Sequence, residues 1–302
     1  MSLVETTILS IVVMIFVGYF LKRANILTVK DGYSLNNLVI YLLMPCMIFN
    51  SLYHADISVF PKLAIMPLIG ITCGCLTGVL LFSILTLIKF PKIKKWSVVI
   101  TVTLGNTALL GFPVILGIYG QVALIKAIFY DIASLLTFLS LSIILMFVFE
   151  GKFKDVIKKV LSFPVLWAVI LGILLNFFNF EIGAVANNVI EYFGAATIPI
   201  IMLVLGLSLD FTELKENLKI SAPVSLFKLF VTPVICFIIL TIIGMENLDY
   251  TVAIVEAAMP AGMLNLVLSL KYNLEYRLTT DCLFLSTIFS LLTIPIIITF
   301  LT

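Results

Sequence analysis

Apolar runs long enough to cross a bilayer alternate with short polar breaks along this chain. A helix rises about 1.5 Å per residue, so about 20 apolar residues cross a hydrocarbon core of roughly 30 Å. The pattern places spans at 3–21, 34–53, 63–88, 96–118, 122–149, 164–179, 187–208, 219–243, 250–270 and 276–301, about ten in all. It predicts an all-α polytopic membrane protein with the lipid bilayer as its first partner and no soluble domain outside the spans. The first run lacks a basic leader and a small-residue cleavage site, which predicts a retained span and not a removed signal peptide.

Composition agrees: 62% of the 302 residues are hydrophobic, 11% are charged, and the mean hydropathy is +1.25. A soluble fold could not bury so much apolar surface. The sparse charges carry orientation. Alternate loops hold Lys22, Arg23 and Lys30; Lys89, Lys92, Lys94 and Lys95; Lys152, Lys154, Lys158 and Lys159; Lys215 and Lys219; and Lys271 and Arg277. The opposite loops offer Lys62 beside Glu5, Asp56, Glu181, Glu246 and Asp249. Basic residues collect on the side that is not translocated, so both termini are expected outside the cytoplasm of a cell (plasma or inner) membrane. Cys46, Cys73, Cys75, Cys236 and Cys282 all fall in apolar spans, and His54 is the single histidine. Neither a disulfide nor a metal site is expected from that distribution. Short basic loops give no support to nucleic-acid binding.

The two halves echo each other. Asn36-Asn37-Leu38-Val39-Ile40-Tyr41 opens the second span and Asn187-Asn188-Val189-Ile190-Glu191-Tyr192 the seventh. Asp131 in the fifth span matches Asp281 in the tenth, and Pro113 in the fourth matches Pro260 in the ninth, all in a common register. Five spans per copy is odd, so residues 1–151 and 152–302 are expected as two inverted five-helix repeats. Carriers of that kind bind substrate near the midplane, where interrupted helices meet.

The fourth and ninth spans contain the interruptions. In GNTALLGFPV, residues 105–114, Pro113 lacks an N–H and clashes with the carbonyl of Leu109, while Gly105 and Gly111 offer little resistance to unwinding. In EAAMPAGMLN, residues 256–265, Pro260 does the same to Glu256 and Gly262 follows. Both helices are expected to open there. Freed backbone groups must then find protein, water or ligand. Half-helix N-termini favour a carboxylate, freed carbonyls favour a cation, and Asn106 and Asn265 would add amide donors.

GNTALLGFPV, MPAGMLNL and the LVIYLLMPCMIFNSL segment of the second span, in that placement, resemble the auxin efflux carrier family, whose prokaryotic members include malonate and malate permeases. The resemblance covers essentially the whole chain. It implies a scaffold domain and a transport domain, each built from both repeats, with the fourth and ninth helices crossing at the substrate site. It also implies a secondary transporter of small organic anions, commonly a homodimer. By that likeness Asn106, Pro113, Pro260 and Asn265 map to the crossing, and Gly105, Thr107, Gly111, Met259 and Ala261 complete the expected substrate-binding set. The EAAMP segment is similar to the acidic residue before the ninth-helix break of sodium-coupled bile acid transporters, with Pro260 where those have Gln.

Ionisable residues at membrane depth are costly and suggest function. Glu256, Asp131 and Asp281 are the candidate coupling groups, for H+ or Na+, and no other cofactor is implied. Lys126 precedes Asp131 by five residues and Arg277 precedes Asp281 by four, so local ion pairs are the alternative role. Glu256 has no basic residue within a turn. Lys228, in the eighth span, can face the interior or snorkel. An intramembrane enzyme finds no HExxH and no GxSG-type element, so no enzymatic activity is expected. A channel would conduct without saturation, and a receptor would bind without flux.

Overall fold

The computed structural model describes residues 3–150, 158, 161–209 and 217–301. Lys152, Lys154, Lys159 and Lys215 of the expected cytoplasmic loops, and the expected repeat boundary at 151–152, lie outside the described residues. The chain runs through α1 (Leu3–Arg23), α2 (Val29–Leu38), α3 (Met44–Tyr53), the single turn α4 (Phe60–Leu63), α5 (Ile65–Leu87), α6 (Lys92–Thr103) and α7 (Phe112–Phe149). It continues through α8 (Pro164–Phe177), α9 (Ala184–Ala195), α10 (Thr197–Ser208), α11 (Leu218–Ile243), α12 (Asn247–Ala257), α13 (Leu264–Lys271) and α14 (Tyr276–Leu301).

Among the described residues, seven helical stretches are long and apolar enough to cross a membrane. The number differs from the sequence pattern for local reasons. The expected fourth and ninth spans are each broken into two shorter helices, α6 and the start of α7, and α12 and α13. The start of α7 is continuous with the expected fifth span except at Gly120, whose φ of 78° puts it in the left-handed region open to glycine. At 14 residues α8 is itself short of a full crossing. Outward apolar residues such as Phe147, Leu292 and Phe300 remain exposed, as lipid-facing side chains do.

Proline shapes two of these stretches in one way. Five-residue π turns, Val39–Leu43 and Thr107–Gly111, run into Met44-Pro45 and Phe112-Pro113. The wider turn moves the preceding carbonyls away from the ring, and the N–H before each proline reaches back five residues, Met44 to Val39 and Phe112 to Thr107. Pro113 therefore sits in the first turn of α7. It does not itself break the helix.

The chain divides into two compact units: one of Met1–Lys62, Leu116–Ile125 and Lys158–Asp210, the other of Leu63–Ile115, Lys126–Ile157 and Phe211–Thr302. Glycines let helices approach closely in both. In the first, α1 lies on α10, where a Cβ on Gly18 would come within 3.0 Å of Leu203 Cα. Asn176 Nδ2 there donates to Leu52 O at 2.6 Å and Ala55 O at 2.8 Å, satisfying carbonyls at the end of α3. In the second, Gly74 and Gly78 on α5 receive Thr103 of α6, and Gly70 receives Tyr130 and Ala133 of α7. Leu81, Leu85, Val98, Val99, Val102, Val224, Leu278 and Cys282 form an apolar core joining α5, α6, α11 and α14.

Candidate functional site

The twelve residues singled out from the sequence all lie in the second unit. The first break opens after Thr103, at Leu104–Asn106, well before Pro113; the second opens after Ala257. Pro260 cannot donate a hydrogen bond, and Glu256 O accepts instead from Met259 N–H at 3.2 Å, which tightens and ends α12. The two breaks meet in an antiparallel bridge between Gly105 and Ala261. Asn106 N–H donates to Pro260 O at 2.7 Å, and Gly262 N–H donates to Leu104 O at 2.9 Å. Freed backbone groups thus satisfy one another, and a short piece of strand pairing stands where two helices are interrupted.

Side chains complete this joint. Asn265, fully buried, donates through Nδ2 to Gly262 O at 2.8 Å and Leu104 O at 3.1 Å. Its hydrogens are committed to backbone, so it braces the joint, while its Oδ1 has no protein partner. Ser286 Oγ on α14 accepts from Ala261 N–H at 3.1 Å. Asn106 is buried, and its side-chain amide has no hydrogen-bond partner among the described residues. Met259 and Pro260 are buried within the second break. Gly111 makes room for Glu256: a Cβ there would lie 2.7 Å from Oε1 and closer still to Oε2.

Beside the joint lies a cavity of about 20 Å³, enough for a water molecule and too small for an organic acid. Its lining includes Gly105, Thr107, Tyr130, Lys228, Thr232 and Glu256. Glu256 is 1% exposed, and both carboxylate oxygens lack a protein hydrogen-bond partner; Thr232 Oγ1 also lacks one. Lys228, from the middle of α11, is 3% exposed and faces inward, with Nζ 3.6 Å from where a Cβ on Gly105 would stand. Glu256 and Lys228 line this space together without forming an ion pair.

Sequence reasoning left Lys228 open and did not select Tyr130, Ser134 or Thr232. A lysine in an apolar span signals a cost that must be met, yet which face it takes depends on neighbouring helices.

Of the three candidate coupling acids, the structure brings Glu256 to the cavity and Asp131 close behind it. Asp131 accepts a hydrogen bond from Thr107 Oγ1, which is 2.9 Å from Ser134 Oγ. It does not pair with Lys126, whose ammonium instead bonds Asp249 in the first turn of α12. Asp281 is not part of the cavity lining; it accepts from Asn217 Nδ2 at 2.8 Å. In the other unit, a separate cavity of about 420 Å³ is lined by residues including Asn50, His54, Asp56, Gln121 and Glu191.

The chain matches a sequence model of the family described as membrane transport protein over residues 3–298. It is 34% identical over 290 residues to an uncharacterized transporter of Methanothermobacter thermautotrophicus, covering 96% of each chain. It is 33% identical over 298 residues to an uncharacterized transporter of Methanocaldococcus jannaschii, again covering 96% of each.

Proposed function

The chain belongs to the membrane transport protein family, the auxin efflux carriers of the sequence resemblance, and on that premise we propose a secondary transporter that moves small organic acid anions by alternating access. The observation that carries the proposal is the joint of two broken helices with a buried lysine beside it. An anion at membrane depth needs positive charge and hydrogen-bond donors to replace its water. The N–H groups of Thr107, Ala108 and Leu109 precede the first bonds of the π turn and point their dipoles toward the break. Lys228 supplies a full charge and Asn106 an uncommitted amide. Together they favour a carboxylate.

In this reading the chain has ten spans in two inverted repeats, residues 1–151 and 152–302, with the fourth and ninth helices crossing at the bridge. The unit holding the joint is the transport domain and the other the scaffold; each takes segments from both halves of the chain, which supports that assignment. The 20 Å³ cavity represents a state closed on the substrate position. The protein works as a homodimer in the cell membrane with both termini outside the cytoplasm.

Radiolabelled malonate, malate and indole-3-acetate, offered in turn to proteoliposomes of the purified protein, test the proposal under imposed proton or sodium gradients. Saturable uptake of one acid is the expected result. Failure of all three to move, or flux that rises without saturation, would refute the organic-anion carrier.

A further inference from the structure

The anion site as derived leaves Glu256 unexplained. A buried carboxylate without a hydrogen bond is among the most expensive groups a protein can hold, and so is a buried ammonium without an anion. Each needs a counter-charge or a change of protonation. Glu256 on α12 and Lys228 on α11 both line one cavity of about 20 Å³, and among the described residues neither is held in an ion pair. Lys228 is the only base in that lining. The titratable groups against Glu256 are Asp131 and Tyr130 on α7, while Cys73 on α5 and Cys236 on α11 lie against Tyr130 and Lys228; none of the four supplies positive charge. From α14 the joint meets Ser286, while Asp281 is held by Asn217.

We propose that Lys228 is shared: it compensates either the Glu256 carboxylate or the substrate carboxylate, so that each anion bound brings one proton onto Glu256. This rests on the anion-carrier reading and names its coupling ion. With the site empty, the ammonium of Lys228 balances ionised Glu256 across the cavity. An incoming carboxylate takes the ammonium for itself. Glu256 is then a lone buried anion beside a second one, and it takes a proton from the water through which the substrate arrived. No covalent bond to the substrate forms, and the ammonium keeps its protons. For a monocarboxylate the pair is neutral before and after, and the closed state crosses the bilayer without net charge there. Sodium has no part in the cycle, because the positive charge at the joint is carried by the protein.

A double-mutant cycle on purified protein in detergent tests the shared pair without any substrate. Lys228→Met and Glu256→Gln should each lower the melting temperature, and the double variant should melt higher than their summed losses allow, since each single change strands the other group. Strictly additive losses would overturn the pair. If a single variant fails to fold, wild-type protein in weakly buffered solution decides instead: indole-3-acetate should draw one proton per molecule bound, and exchanging potassium for sodium should leave binding unchanged. Binding without proton uptake, or binding that needs sodium, would overturn the exchange while leaving an anion carrier. A coupled pair in a protein that binds and moves none of the three acids would overturn the carrier and the exchange with it.

Discussion

Gly262 and Gly105 face one another at the bridge, and alanine should have very unequal effects at the two. A Cβ on Gly262 would lie 2.9 Å from the carbonyl carbon of Gly105 and closer still to its oxygen. That neighbour is backbone and cannot rotate away. Accommodating the methyl means parting the breaks, which strains the hydrogen bonds Asn106 N–H to Pro260 O and Gly262 N–H to Leu104 O. Overpacking of this kind costs about 1–3 kcal/mol. Two buried backbone bonds left unmet cost about 1–3 kcal/mol each. The expected loss for Gly262→Ala is therefore roughly 3–6 kcal/mol, allowing for partial relaxation. A Cβ on Gly105 would instead meet Lys228 Nζ at 3.6 Å, Thr107 Cγ2 at 3.7 Å and Met259 O at 3.8 Å, all ordinary contacts. Gly105→Ala should cost under about 1 kcal/mol. Thermal melts followed by size-exclusion of detergent-solubilised protein compare the two directly. Equal melting temperatures for the two variants, or a more stable Gly262→Ala, would show that the bridge does not set the packing here.

Asn265→Ala removes two donors from the joint and should destabilise by about 1–3 kcal/mol, with Asn265→Asp no better because it cannot donate to Leu104 O and Gly262 O; melting curves of both variants check this. Asn106→Ala should leave stability nearly unchanged but impair uptake in proteoliposomes, and wild-type flux would remove that amide from the substrate site. Lys126→Ala breaks an ion pair whose side chains are 16% and 34% exposed, so it should cost less than about 1 kcal/mol and leave uptake intact, read by the same two assays. Gly120→Ala has open space around it but a φ of 78°, so about 1–2 kcal/mol of backbone strain is its whole expected effect on the melt.

The apolar pattern located the helices because burial in lipid demands length and composition together. It also located both interruptions, since Gly, Pro and Asn mark weakness in any helix. The point of the first opening was another matter. Proline chemistry pointed to Pro113, but a π turn absorbs the ring, and the chain opens at Leu104–Asn106, where the partner for its backbone is available from the other break. Partner choice across the fold was equally hidden: Lys126 is nearest Asp131 in sequence and reaches Asp249 in space. For Lys228, composition established a cost without saying how it is met: Ser221, Ser225 and Thr232 share its helical face, but the helix alone does not say what that face meets. Its inward direction is a property of how α11 packs with α5 and α14. Tyr130 and Thr232 carry no distinguishing signal at all; only the cavity selects them.

The bridge ties together two segments that lie half a chain apart, and this has an evolutionary side. A substitution that shifts the backbone at Leu104–Asn106 alters the acceptor for Gly262 and the donor to Pro260 at once, so its effect depends on what occupies the other segment. Change in either break is therefore epistatic with change in the other. Diversification here should proceed by paired replacements, while exposed apolar positions elsewhere, such as Phe147, Leu292 and Phe300, drift freely under the lipid's permissive chemistry.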